Sequence, residues 1–479
     1  MRKWRNGLAL GLAVTGVALG VAAGPAAATQ AEYDQGLALG TEAYKYGLPL
    51  VTTDKTYRNQ TSVDVSNGDG FGPPNQFNPV RQLTDPTDRS VVAPNYDTLY
   101  SIAWLNLKQQ PQIIHVPKVK DRYFVIPLMS PYTEDFKNLG TVNGTKPGDY
   151  AVVGPDQKNV KLPKGVKRIK SKYNRAWIIQ RTYIDYTDPK DFKRVHKIQN
   201  EITLTPLNKY GKKGWKPKTP KNPDTTVNTP AMPTGLTFFD KLGKQLAKFP
   251  PPAEDQAELD KFAPIGVGPG LEPSENPNLS PDTIRGMTDA VTNGPTSVRN
   301  DLRAMYLAGF AAHNGSLVTP TGNYGTDYTR RAIVTTVGLG ALVPTEAIYP
   351  FALTDHSLAP LTGTKKYVMH IPAGQLPPVN GANGFWSVTL YDNDGFMVPN
   401  PIDRFVINDR TDLATNADGS IDIYLQSTEP TDPKQAQNWL PTPAGAQFRL
   451  IWRLYDSGDQ VDGILSGAGW SPPAINVAP

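Results

Sequence analysis

The sequence predicts an α+β fold in which two β-sandwich, jelly-roll-like domains flank a helical middle segment. Three observations carry that prediction. The chain has 42 glycines and 46 prolines in 479 residues, an excess that favours short elements joined by turns. Runs such as Tyr123-Phe124-Val125-Ile126 and Trp177-Ile178-Ile179 read as buried strands, and strand patterns return between Tyr367 and Tyr455. Between these regions the apolar spacing changes to three and four residues, the period of a helix packed on one face.

Taken in order, Met1–Ala28 reads as a signal peptide. Arg2, Lys3 and Arg5 precede 17 uncharged residues (Gly7 to Ala23), and Ala26-Ala27-Ala28 offers small residues for cleavage. An uncleaved anchor is the alternative, but the run is short for a membrane span. Residues 31–47 predict a helix ended by Pro49, which opens an N-terminal helix-plus-sandwich domain at 29–208. Residues 209–233, with Lys212, Lys213, Lys216, Lys218 and Lys221 among prolines, read as a linker or exposed loop. The helical segment spans 234–350. Leu236, Phe239, Leu242, Leu246 and Phe249 define one helix, stopped by Pro250-Pro251-Pro252. Others are expected over Pro281–Ala290 with Ser280 as cap, over Val298–Ala312 and near Tyr328–Leu342. A jelly-roll-like domain at 351–479 completes the chain.

The two strand-rich regions share a skeleton. His115-Val116-Pro117, Tyr123-Phe124-Val125, Leu162-Pro163-Lys164-Gly165 and Arg181-Thr182-Tyr183 follow one another in the first. His370-Ile371-Pro372, Trp386-Ser387-Val388, Leu440-Pro441 with Ala444-Gly445, and Arg453-Leu454-Tyr455 follow in the same order in the second. Duplication and shared strand-turn grammar both explain this.

Composition narrows the chemistry. The absence of cysteine excludes disulfides, thiolate catalysis and cysteine-held metal. The formal charge of +5 falls to +2 once Arg2, Lys3 and Arg5 leave with the signal, so no nucleic-acid partner is expected. Lys158 to Arg175 holds eight basic residues and no acid, whereas Ala382 to Pro479 holds twelve acids against five bases. This gives two solvated faces, domains that attract one another, or a basic domain that steers an anionic envelope polymer. The histidines at 115, 196, 313, 356 and 370 form no His-Glu-x-x-His pair, and no Gly-x-Ser-x-Gly elbow is present.

Longer motifs carry a resemblance. Val92-Ala93-Pro94-Asn95-Tyr96-Asp97-Thr98-Leu99-Tyr100-Ser101-Ile102-Ala103-Trp104-Leu105 is one, and Gly322-Asn323-Tyr324-Gly325-Thr326-Asp327-Tyr328 is another. Phe385-Trp386-Ser387-Val388-Thr389-Leu390-Tyr391-Asp392, Asn400-Pro401-Ile402-Asp403-Arg404 and Asn438-Trp439-Leu440-Pro441 complete the set. The chain resembles the bacterial two-part family made of domain of unknown function 1254 followed by domain of unknown function 1214. That resemblance implies a β-sandwich first part, a helical middle and a jelly-roll-like last part, and it implies no reaction.

Acidic and aromatic residues remain as candidate site chemistry. Asp97 and Asp327 are the candidate catalytic carboxylates, with Asn95, Tyr100, Arg122 and Tyr328 as ligand-binding candidates. Each has a structural alternative: an Asx turn at Asn95-Tyr96-Asp97, a helix cap at Asp327. Asp392 and Asp394 form a hairpin turn, with calcium as the sharper alternative; no other cofactor is expected. Aromatic rings beside carboxylates suit a sugar, so the expected function is that of a secreted or periplasmic, cell-envelope protein. It would bind a carbohydrate or other envelope-derived ligand at a domain junction, with or without processing it. A non-enzymatic scaffold or protein-interaction module is the rival, and a carboxylate-based hydrolase or lyase is the form an enzyme would take.

Overall fold

The computed structural model describes residues 25–89, 92–381 and 383–478. The signal-peptide segment therefore lies almost wholly outside the described residues. No helix among them is long and apolar enough to cross a membrane.

The chain is a mixed α+β structure of eight α-helices and four sheets among the described residues, with a helical middle segment. Helix α1 (Pro25–Gln60) is followed by β1 (Asn78–Pro79), β2 (Thr98–Asn106), β3 (Gln112–Val116), β4 (Phe124–Met129), β5 (Asp135–Gly140), β6 (Gly148–Val153), β7 (Lys167–Lys170) and β8 (Arg175–Tyr183). Helix α2 (Pro189–Glu201) and β9 (Thr203–Pro206) end the first half. Residues 211–233 contain no helix or strand and are mostly exposed. They are tied to the end of α1 by Asp64 N to Asp224 O (2.7 Å) and Asn59 Nδ2 to Asn228 O (2.9 Å).

The middle holds α3 (Leu236–Lys248), α4 (Gln256–Lys261), α5 (Pro281–Gly309) and α6 (Tyr328–Val337). Two expectations are corrected here. The predicted stop at Pro49 does not occur, because α1 runs through it to Gln60. The two helices expected at 281–290 and 298–312 are one, continuous through Pro295 and capped by Ser280 as expected. A proline removes one helical hydrogen bond. Burial of Leu50 and Val51 beyond Pro49, and of Val298, Leu302 and Tyr306 beyond Pro295, outweighs that loss.

Helix α1 packs along α5, and glycines set how closely. A Cβ on Gly286 would stand 2.3 Å from Tyr33 O, and one on Gly36 would stand 2.4 Å from Thr283 O. Both obstacles are backbone, so neither helix can yield without moving. Gly286→Ala is expected to cost about 1–3 kcal/mol by overpacking, despite a helix-propensity gain of ~1 kcal/mol. Urea denaturation measures this, and a variant as stable as the parent would show that the two backbones have room to separate.

The second half holds β10 (Ala347–Ile348), β11 (Phe351–Ala352), β12 (Tyr367–Ile371), β13 (Phe385–Asp392), β14 (Val406–Asn408), β15 (Ile421–Gln426), α7 (Pro433–Gln437), β16 (Trp439–Pro441), β17 (Phe448–Tyr455), α8 (Val461–Ser466) and β18 (Ile475–Val477). In the first half the sheets run β1-β2-β8-β4-β5 and β7-β6-β3-β9. In the second they run β10-β17-β13-β14, with β11 also on β17, and β16-β15-β12-β18. Within each half, side chains from both sheets share a hydrophobic cluster. Ile114 and Val152 meet Ile126 and Ile178 in the first, and Met369 and Leu425 meet Val388 and Leu450 in the second.

The two halves repeat one topology. Strands β2 to β9 correspond in chain order to β10/β11 and β12 to β18, with the same neighbours. All named pairs are antiparallel except β6–β7 and β15–β16, which occupy the same place in each half and are both parallel. His115 lies opposite Asp149, bonded at 2.8 Å, and His370 opposite Asp422 at 2.7 Å. Arg181 pairs with Val125 and Arg453 with Ser387. Strand register thus equates Tyr123-Phe124-Val125 with Phe385-Trp386-Ser387, one residue from the match made on sequence. The Leu-Pro piece has no such equivalence, since Leu162-Pro163 precedes β7 and Leu440-Pro441 lies inside β16.

Equivalent residues also join the halves. Tyr123 packs on Tyr455 (ring centroids 5.2 Å apart), and their counterparts Phe385 and Tyr183 pack at 4.8 Å. An interface in which i meets j and j's counterpart meets i's is the signature of a two-fold, here an internal one.

Candidate functional site

The junction between the halves begins with the loop before β2. Ala93, at φ +50°, donates its N–H to Gly395 O (2.8 Å) and accepts Arg453 Nη2 on its carbonyl (2.7 Å). The Tyr391 hydroxyl donates to Pro94 O. Asn95 Oδ1 accepts the N–H groups of Asp97 (3.1 Å) and Thr98 (3.0 Å), an Asx turn. Its Nδ2 donates to the hydroxyls of Thr98 and Tyr455, both at 2.9 Å. Asp97 lies on the turn and not on the strand, and it is fully buried. Its Oδ1 accepts Arg410 Nη2 (2.6 Å) and Asn408 Nδ2 (3.1 Å), while Oδ2 has no partner among the described residues. The Arg410 guanidinium lies between the rings of Tyr183 (4.8 Å) and Tyr186 (5.3 Å). Asn95 and Asp97 thus clasp the first half to the second.

The remaining candidates divide. Tyr100 joins this group: its hydroxyl accepts Asn95 N–H (3.2 Å), and the Arg181 guanidinium stands 5.7 Å from its ring. Arg122 grips Asp191 of α2 through Nη1 (2.7 Å) and Nη2 (2.6 Å) and donates to Tyr183 O. Asp327 caps α6 by accepting Arg330 N–H (2.9 Å), the structural alternative named for it. Tyr328 donates its hydroxyl to Asp255 (2.9 Å) inside the helical segment. No hydrogen bond, ion pair or ring contact among the described residues joins Asp327 or Tyr328 to the Asn95–Tyr100 group, although Tyr96 and Tyr328 pack against the same apolar cluster. Asp392 Oδ1 accepts the N–H groups of Asp394 and Phe396 as a hairpin turn requires, and its Oδ2 pairs with Arg89 (2.9 Å). Among the described residues no group of three or more His, Asp or Glu is placed to hold a metal ion.

The structure adds residues that the sequence did not single out. Arg181 and Arg453, equivalent under the internal two-fold, are 6 % and 4 % exposed. Among the described residues, both bond neutral oxygens: Arg181 to Ile179 O (3.2 Å) and Gly340 O (2.7 Å), Arg453 to Thr389 Oγ1 (3.1 Å) and Ala93 O. Two carboxylic acids lie close by. Glu346 is fully buried, accepts the Tyr123 hydroxyl (3.0 Å) and is bonded by Asn143. Burial pushes its carboxyl up to about 7, although those hydrogen bonds and the Arg181 charge favour ionisation. Asp135 accepts Val343 N–H (3.2 Å) on Oδ2 and leaves Oδ1 unpartnered among the described residues. Burial raises it to about 7 as well, against Arg181 and with a contribution from the Glu346 charge. Asp409, beside Arg410, is raised to about 6 by burial. A charged residue inside each apolar strand, Arg181 and Arg453, was the available sequence signal, since both fall in the repeated skeleton.

A cavity of about 70 Å³ opens beside this group, lined by Arg122, Tyr123, Tyr183, Phe385 and Asp409 among others. That is well below the roughly 300–1,000 Å³ of small-molecule pockets. Tyr123 forms part of its wall and reaches Glu346 behind it. An open depression of about 420 Å³ at Gln109–Pro111, Gln157, Leu207 and Asn208 has no ionisable group in its lining.

Family models described as proteins of unknown function match residues 74–206 (DUF1254) and 346–459 (DUF1214). The chain belongs to this two-part family. The DUF1254 part supplies Asn95, Asp97, Asp135 and Arg181, and the DUF1214 part supplies Glu346, Asp409, Arg410 and Arg453, so the junction is built from both. The chain is similar to the crystal structure of the VPA0106 protein from Vibrio parahaemolyticus, with 24 % identity and a TM-score of 0.60 over 93 % of this chain and all of that one. This likeness shows that the fold is shared. A putative uncharacterized protein from Burkholderia cenocepacia matches at 12 % identity and a TM-score of 0.41, over 94 % of this chain and 96 % of that one. No curated protein matches the chain.

Proposed function

We propose that this DUF1254–DUF1214 chain is an exported, secreted or periplasmic protein that binds a small hydroxyl-bearing ligand of carbohydrate or envelope origin. The site is the junction of its two halves, which are read as β-sandwiches, the second of jelly-roll type. The supporting observation is the pair Asp135 and Glu346, both raised to about 7 beside Arg181. Two acids divided between protonated and ionised forms at neutral pH are what proton transfer to and from a hydroxyl or glycosidic oxygen needs. Arg181 and Arg453, whose hydrogen bonds go to neutral oxygens, favour a ligand that also carries negative charge, such as an acidic sugar. The 70 Å³ cavity requires the aromatic contacts Tyr123–Tyr455 and Tyr183–Phe385 to part when the ligand enters.

That small volume also favours a second reading, the non-enzymatic scaffold or protein-interaction module, in which the junction only holds the halves together. Thermal-shift titration of the chain lacking Met1–Ala28 with neutral and acidic sugars decides between them. The binding reading expects a saturable rise in stability with an acidic sugar, about 2.7 kcal/mol at a hundredfold excess over Kd, weakened by Glu346→Gln. No response to any sugar assigns the scaffold.

A further inference from the structure

We propose that Arg331 anchors a second binding site, in the helical segment and separate from the junction, for a small carboxylic acid with an apolar body. Arg331 lies on α6 and is 1 % exposed. Its guanidinium faces three tyrosine rings: Tyr46 of α1 (5.3 Å), Tyr132 of the turn after β4 (5.4 Å) and Tyr328 (5.1 Å). Its Nε and Nη2 are both buried, and neither has a hydrogen-bond partner among the described residues. These two N–H groups share one edge of the guanidinium and point the same way, the geometry that grips a carboxylate with two parallel bonds.

The surrounding groups leave that edge free. Asp255, itself buried, accepts the hydroxyls of Tyr46 and Tyr328, both at 2.9 Å, one on each oxygen. Tyr132 donates its hydroxyl to Phe249 O (2.8 Å). Glu134 is half-buried, and burial holds its carboxyl above the usual carboxylate range, with the Arg331 charge acting the other way. A buried arginine serving only the fold places its fork on a carboxylate or on carbonyls. Here the nearby carboxylate is taken by tyrosines instead. Ligand charge follows from the same inventory. Asp255 and Glu134 already stand near the one guanidinium, so a singly charged carboxylate meets less repulsion there than a doubly charged phosphate. Tyr46, Tyr132 and Tyr328 belong to or pack against the large apolar cluster that holds Phe262, 5.9 Å from the Tyr46 ring, surroundings that suit an apolar body.

Benzoate is the probe, with inorganic phosphate at matched ionic strength as the control. For the full chain, benzoate is expected to raise the melting temperature saturably and phosphate is not. Arg331→Lys keeps the charge and loses the fork, and is expected to weaken benzoate at least tenfold. Glu346→Gln, which alters the junction, leaves the response intact; a response lost there and retained in Arg331→Lys would move binding to the junction and overturn the proposal. No saturable shift in the parent, or equal affinity in Arg331→Lys, overturns it as well. If Arg331→Lys does not fold, crystals of the parent soaked in 4-bromobenzoate decide. Bromine anomalous signal beside the Arg331 fork supports the site, and water alone in the fork overturns it.

Discussion

Replacing Asp97 with alanine is expected to destabilise the chain by about 3 kcal/mol, with the loss falling on the contact between its halves. Asp97 is fully buried, and the Arg410 side chain that it binds is 10 % exposed. Breaking a buried pair by removing one member costs roughly 3–5 kcal/mol, because the other charge stays buried without compensation. The lower figure applies because Arg410 keeps Asp409 at 3.0 Å and the rings of Tyr183 and Tyr186. Asn408 loses an acceptor in the same change but keeps Tyr186 (2.8 Å). A double-mutant cycle with Arg410→Leu isolates the pair, and the double variant should recover part of the loss, since it leaves no orphaned cation. A cost below about 1 kcal/mol for Asp97→Ala would show that the clasp contributes little. Ligand affinity measured on Asp97 variants must therefore be corrected for stability before it speaks about a site.

Local chemistry was legible in the sequence wherever its partners lie within a few residues. The Ser280 cap, the Asp327 cap, the Asx turn at Asn95 and the hairpin at Asp392 each bond their own neighbourhood, so residue type and spacing were enough. The repeated skeleton marked the two stretches whose strand order proves to be the same, and it missed the register by one residue because apolar strand runs look alike when shifted. Pro49 and Pro295 misled because the packing that overrides a proline comes from residues hundreds of positions away, as Tyr33 and Gly286 do across α1 and α5. Asp135 and Glu346 were invisible for the same reason. Neither differs in type from a surface acid, and only the meeting of both halves with the loop before β10 buries them. Arg331 had a signal, an arginine at helical spacing from Tyr328, but a solvated helix face explains that spacing equally well.

Across pH 4.5 to 7 the stability of the chain is expected to fall, and Glu346→Gln is expected to remove about 3 kcal/mol of that fall. Glu346 has an ordinary value of 4.5 and is raised to about 7 in the fold. The folded state therefore holds a proton in this window that the unfolded state has released, and stability declines as pH rises. The contribution is fully present below 4.5 and is lost as pH passes through about 7. The difference between those values corresponds to roughly 3 kcal/mol. Asp135, raised from 3.8 to about 7, and Asp409, raised to about 6, act in the same direction. Groups of the opposite kind act elsewhere on the scale. Burial tends to raise Asp54 and Asp191, but the hydrogen bonds of Lys241 and Arg175 to the first, and of Arg122 and Arg194 to the second, hold both below 3.8. Their stabilisation is lost only as pH falls through those lowered values, so it leaves the window above 4.5 untouched. The glutamine introduced by Glu346→Gln keeps the shape of the side chain and carries no titrating proton. Urea denaturation of both proteins at intervals from about pH 4.5 to 8 should thus show a steeper decline for the parent. The parent should lose about 3 kcal/mol more than the variant over the range. Parallel profiles would mean that Glu346 ionises in the fold as it does in water, and the acid–base pair at the junction would lose its basis.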